Sequence, residues 1–96
     1  MTAALNLMMT ATALERGVVQ YVFSLREWTP RTARAWILAR GLTIHAVQSN
    51  DYECVIHLRP MSDYVVRSLH RTYLEGVEGV LVADATLRGS LVGPRP

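Results

Sequence analysis

Two stretches of the chain, VFSLREWTP (22–30) and VIHLRPMSD (55–63), follow one pattern. Each runs apolar, apolar, polar, Leu, Arg. Each closes on a large apolar residue followed by a hydroxyl residue, Trp28-Thr29 in one and Met61-Ser62 in the other. The offset is 33 positions in a chain of 96 residues, which points to one structural unit used twice.

The two copies open as strands. Val19, Tyr21, Phe23 and Leu25 alternate with Val18, Gln20, Val22 and Ser24, and Tyr52, Cys54, Ile56 and Leu58 alternate with Glu53, Val55, His57 and Arg59. That is the period of half-buried strands with their larger side chains on one face. Each strand then meets a helix start: Thr29 as N-cap with Pro30 in the first turn, and Ser62 as N-cap with Asp63 behind it. Trp28 and Met61 stand where a hydrophobic staple would, Met61 packing on Val66. Ala33, Trp36 and Ile37 match Val66, Leu69 and Tyr73 as buried helix positions, and Gly41 and Gly76 suit left-handed caps.

Further strands follow at 42–47 and 79–85, with SND (49–51) as a tight turn between the halves. Helices are therefore expected at 30–41 and 62–75. The fold class is α+β: a ferredoxin-like βαββαβ sandwich, a four-stranded antiparallel sheet with two helices on one face. Its expected core is Phe23, Leu25, Trp36, Ile37, Ile56, Leu58, Val66, Leu69 and Tyr73. Residues 17–86 make up this domain. Residues 1–16 read as an N-terminal apolar arm or short helix, and 87–96 as a flexible tail.

Composition bounds the function. Half of the residues are apolar and 19% charged, as in a folded globular domain. All 10 basic residues are arginine, a pattern read as genome composition rather than a selected surface, and the net charge of +2 permits an acidic partner without demanding one. One cysteine excludes an internal disulfide, and a reducing cytoplasm is the expected compartment. The N-terminus lacks the positive region of a secretory signal, and no apolar run approaches a membrane span.

VVQYVFSLREWTPRTARAWILARGLTIHAVQSNDYECVIHLRP (18–60) resembles a small module of tailed-phage and prophage proteins found near head-assembly and prohead-protease regions. The resemblance lies in Trp28-Thr29-Pro30, Ala33, Ala35-Trp36-Ile37 and Gly41, followed by a turn and a Tyr-led strand. It departs in the last strand, which here reads YECVIHLR rather than basic and aromatic. The resemblance implies phage origin and a strand–helix–strand–strand fold, and brings no catalytic residue.

The expected open face of the sheet carries Gln20, Val22, Ser24, Val55 and His57, with the aromatic residues Tyr21, Phe23 and Tyr52 on the opposite face. RNA binding by stacking on that sheet is therefore not favoured. The open face is instead expected to pair with a second copy, Val22 beside Val55, giving a homodimer, the alternative being a monomer in which residues 1–16 fold back over that face. Arg31, Arg34, Arg67 and Arg71 are the candidate contacts to an acidic partner; Arg67 and Arg71, one helical turn apart with Glu75 following, also fit a solvated ion-paired face.

His45, His57, His70 and Cys54 show no metal-ligand spacing, so no metal is expected. Cys54 reads as a small buried hydrophobe. An acylphosphatase-like hydrolase would use a phosphate loop near Arg16 and an asparagine such as Asn50, but Tyr21 stands where the loop needs glycine. No nucleophile–base pair is assembled by these motifs, so neither catalysis nor a cofactor is expected. The function expected is a non-catalytic binding protein of phage or prophage origin, a host-defence inhibitor of the anti-CRISPR type binding a host protein complex. The alternative is a structural module of the phage head.

Overall fold

The computed structural model describes residues 16–88. Residues 1–15 of the arm expected at 1–16, and residues 89–96 of the tail expected at 87–96, lie outside them. Five strands form one antiparallel sheet: β1 (Arg16–Ser24), β2 (Ala46–Ser49), β3 (Glu53–His57), β4 (His70–Tyr73) and β5 (Val80–Thr86). Their order across the sheet is β2-β3-β1-β5-β4, so the first strand in sequence lies at the centre. One helix, α1 (Pro30–Ala39), follows β1.

The helix forms where local signals are dense. Thr29 caps it, its hydroxyl accepting from Thr32 N at 3.1 Å while Thr32 Oγ1 accepts from Thr29 N at 2.9 Å, a reciprocal capping box closed by a hydroxyl instead of a carboxylate. It ends in a Schellman motif: Leu42 N donates to the Ile37 carbonyl and Gly41 N to that of Leu38, with Gly41 at φ +73°. The apolar side of α1 lies on the sheet face that carries Phe23, Cys54, Ile56 and Val80, all buried with Ala33 and Ile37. Trp28 and Trp36 close around Phe23 edge-on, at 5.0 and 5.8 Å between ring centroids. The register Phe23↔Cys54 and Tyr21↔Ile56 puts the larger side chains of both strands on the helix side, as the alternation requires.

The ferredoxin-like sandwich is corrected by the second half of the chain: among the described residues the sheet has five strands and one α-helix packs on it. Where 62–75 was expected to be helical, the chain makes two short 3-10 turns (Met61–Asp63 and Val66–Ser68) and then the edge strand β4. Tyr64, Val65, Val66, Thr72 and Tyr73 are β-branched or aromatic residues, poor helix formers suited to extended backbone. Ser62 caps nothing, because Pro60 is the residue that enters the first turn. Ser68 fixes the second, its hydroxyl donating to Val65 O at 2.6 Å and accepting from Thr86 N at 2.8 Å. Gly76, φ +83°, turns the β4–β5 hairpin instead of capping a helix.

The expected core changes accordingly. Val66, Met61, Tyr52 and Tyr73 are exposed, so the Met61–Val66 staple is absent. Leu74 and Val77, from the hairpin turn, pack on the main cluster on the helix side. A second, smaller cluster gathers Val19, Tyr64 and Ala85 with Leu69 and Leu87. Leu87, assigned to the tail, forms a bridge with Tyr64.

Candidate functional site

The face of the sheet opposite α1 is the candidate site. The strand registers align two rows across it. One is Tyr73, Leu81, Val22, Val55 and Gln48; the other is Arg71, Ala83, Gln20, His57 and Ala46. Three adjoining hollows lie over these rows, of about 210 Å³ between Tyr52 and Tyr73, about 360 Å³ over Gln20 and Arg71, and about 260 Å³ beside His45 and Met61. Neighbouring hollows share Glu53, or Gln48 and His57, so together they make one trough.

Its rim and floor differ in chemistry. Tyr52 and Tyr73 are 79% and 85% exposed and line the same hollow, over Val22 and Leu81. Tyr52 stands on the turn before β3, where Asn50 Oδ1 accepts from Tyr52 N at 2.7 Å and Glu53 N at 2.9 Å. That side-chain turn takes Tyr52 out of the strand alternation and away from the core. Tyr73 reaches the rim because β4 is a strand.

Over Val22 and Leu81 the floor is apolar, and over Gln20 and His57 it is polar and hydrogen-bonded. Arg71 extends from β4 over the small side chain of Ala83, and its Nη2 donates to Gln20 Oε1 at 3.1 Å. Gln20 Nε2 lies 3.4 Å from His57 Nδ1, and His57 Nε2 lies 2.7 Å from Gln48 Oε1. Arg71 Nη1 also stands 4.0 Å from Glu53 Oε2, a loose, half-exposed ion pair. Burial pushes the His57 pKa down, and the charges of His45 and Arg71 add to it.

That depression has a sign in stability. The unfolded chain takes up a proton at His57 below about pH 6.5 while the folded chain resists it. Folding stability is therefore full above that pH and falls as the pH drops toward the folded-state value, by at most about 1.4 kcal/mol per pH unit for this one group. Urea midpoints on either side of the step should show the loss in the wild type and a smaller one in His57→Gln. An equal loss in both would refute the assignment.

The sequence-derived candidates divide. Gln20, Val22, Val55, His57 and Arg71 come together in the trough, with Ser24 at its tyrosine end. Val22 and Val55 are paired side by side as expected, and lie on the floor at 2% and 9% exposure. Arg31 and Arg34 are exposed on α1, away from this face. Arg67 and Arg71 do not form a helical stripe with Glu75: Arg67 sits in the second 3-10 turn and Arg71 on β4. Tyr52 and Tyr73, expected on the core side, are instead exposed at the site, and Glu53 and Gln48 were given no site role from the sequence. The alternation Leu69, Arg71, Tyr73 ahead of a glycine turn was the available signal for Tyr73.

Arg16 is bound into the scaffold, its Nη2 2.6 Å from Asp84 Oδ1 and 2.8 Å from the carbonyl of Ser68. It begins β1, whereas Asn50 lies beyond the strand's other end, about 25 Å away by strand rise. The two do not assemble a phosphate cradle. Cys54 is a buried free thiol, its pKa raised by burial against a smaller opposing effect of Arg34. Among the described residues no group of three His, Cys, Asp or Glu is placed to hold a metal ion, and no helix is long and apolar enough to cross a membrane. No protein-family model matches the chain, and neither a curated protein nor a solved structure does.

Proposed function

We propose that the protein acts by non-catalytic binding of another protein, held in the trough of the sheet face opposite α1. The observation that carries this reading is the pair Tyr52 and Tyr73, exposed on separate elements around one hollow with an apolar floor. Tyrosines offer large contact area at low entropy cost and, with arginine, dominate binding hot spots. Glu53, and Glu27 lying against Gly79, put carboxylates at this end, which disfavours a polyanionic nucleic acid. Tyr52→Ala/Tyr73→Ala should weaken partner binding at least about thirtyfold at unchanged urea stability. Calorimetry against a partner recovered with the wild-type chain measures it. Equal affinity, or tight binding of a single-stranded oligonucleotide instead, would reject the reading.

The phage-module resemblance of residues 18–60 supports an accessory role encoded by a phage or prophage. In that setting a small binder without assembled chemistry suits a host-defence inhibitor of the anti-CRISPR type, acting in the host cytoplasm. The same resemblance supports a head-assembly module. Neighbouring genes separate the two: a helix-turn-helix regulator beside the gene favours the inhibitor, and capsid genes favour assembly. Self-association through the same face is the competing occupant, and light scattering on the wild type and the double tyrosine variant tests it.

A further inference from the structure

The row Arg71, Gln20, His57 and Gln48 spans the sheet from one edge strand to the other as a single chain of hydrogen bonds, and that chain has a direction. A guanidinium only donates, so Gln20 turns its oxygen toward Arg71. Its NH2 group then faces His57 Nδ1, which must accept. The remaining ring proton sits on Nε2, where Gln48 Oε1 accepts it at 2.7 Å. Arg71 thus dictates the tautomer of a histidine three strands away, and Gln20, buried between them, has no orientation that serves two donors.

We propose that this row is a proton-operated latch: one proton taken from solvent at His57 Nδ1 releases Arg71 from the floor of the trough. With Nδ1 protonated, the ring and the Gln20 NH2 group confront each other as donors. Turning the Gln20 amide satisfies His57 but presents NH2 to the guanidinium. An unturned amide leaves two donors opposed beside His57, which drives the turn; the turn breaks the link to Arg71, which retains Glu53, 4.0 Å away, as its partner in the trough. The surroundings oppose the proton until the pH falls. His45 faces the ring from the segment before β2, Arg71 from β4 and Arg59 from the end of β3, with Glu53 the opposing carboxylate. β1 and β5 contribute the uncharged Gln20 and Ala83 to this row. The latch concerns the floor of the face proposed above for binding, and it operates whether or not a partner is bound.

Its test therefore reads the floor directly, in the isotope-labelled full chain without partner, by nuclear magnetic resonance of ring, amide and guanidinium nitrogens between about pH 8 and pH 5. His57 should be Nε2-protonated at the upper end, and the Gln20 and Arg71 signals should move with the midpoint of His57. An Nδ1-protonated ring at high pH overturns the latch, and so do Gln20 and Arg71 signals that stay still while His57 titrates. Gln20→Glu supplies acceptors to both neighbours and should carry the His57 midpoint from below the ordinary histidine value to above it. Should that buried carboxylate prevent folding, Arg71→Met, at an exposed position, frees Gln20 to turn toward the protonated ring and should also raise the midpoint. A midpoint that does not rise in the variant that folds overturns the proposal.

Discussion

Phe23→Ala should remove about 3–5 kcal/mol of stability, the range for emptying a buried aromatic site. Phe23 is buried at the centre of the sheet, paired with Cys54 on one side and Val80 on the other. Its ring is met edge-on by Trp28 and Trp36, contacts that add to the transfer of the ring from water. Neither indole is free to collapse into the space: Trp28 Nε1 donates to Glu78 O at 2.8 Å, and Trp36 carries the Arg40 guanidinium over its face at 3.5 Å. A domain of this size has on the order of 5–10 kcal/mol in all, so the variant should unfold at low urea. Tryptophan fluorescence through a urea titration reads it; a loss under about 1 kcal/mol would mean the cluster is not the core.

Val22→Asp should be nearly as damaging, about 3 kcal/mol or more, although it lies on the side of the sheet opposite α1. Val22 is flanked in register by Val55 and Leu81. A carboxylate on so short a stem cannot lift its charge clear of the floor. Val55→Arg makes the useful contrast. Its stem is long enough to carry the guanidinium up toward Glu53, which points to the same face two residues away, so that variant should remain folded. Paired urea titrations test both, and Val22→Asp with a wild-type midpoint would show that this floor is open to water.

The first half of the chain was legible because its signals are local and agree with one another. Thr29-Pro30 starts a helix, Gly41 stops it, and the alternation from Val18 to Leu25 fixes which side of β1 faces that helix. The second half imitates the first without its determinants. Ser62-Asp63 looks like a cap, and Val66, Leu69 and Tyr73 fall at helical spacing. But Leu69, Arg71 and Tyr73 also fit a period of two, and over so few residues the two periods do not separate. The choice was made elsewhere, by the pairing of Arg71 with Ala83 and Tyr73 with Leu81, which no local pattern announces. The same pairing placed the site. Arg71 was singled out as a helical surface arginine and reaches the trough as a strand residue, while the place of Tyr52 depended on the Asn50 turn.

The central position of β1 also orders events in time. Of the described strands it is made first, whereas its partners β3 and β5 are the third and the last, and the bond between Arg16 and Thr86 closes a span of 70 residues. Until β5 emerges, Val19, Val22 and Phe23 have no finished sheet to enter, whereas α1 with its capping box and Schellman turn can form on its own stretch of chain. Assembly therefore waits on long-range contacts and belongs with slow, sheet-dominated folding rather than the fast closure of helical proteins. The early strand, with Val19, Tyr21 and Phe23 on one face, is exposed to misassociation during synthesis until β5 emerges.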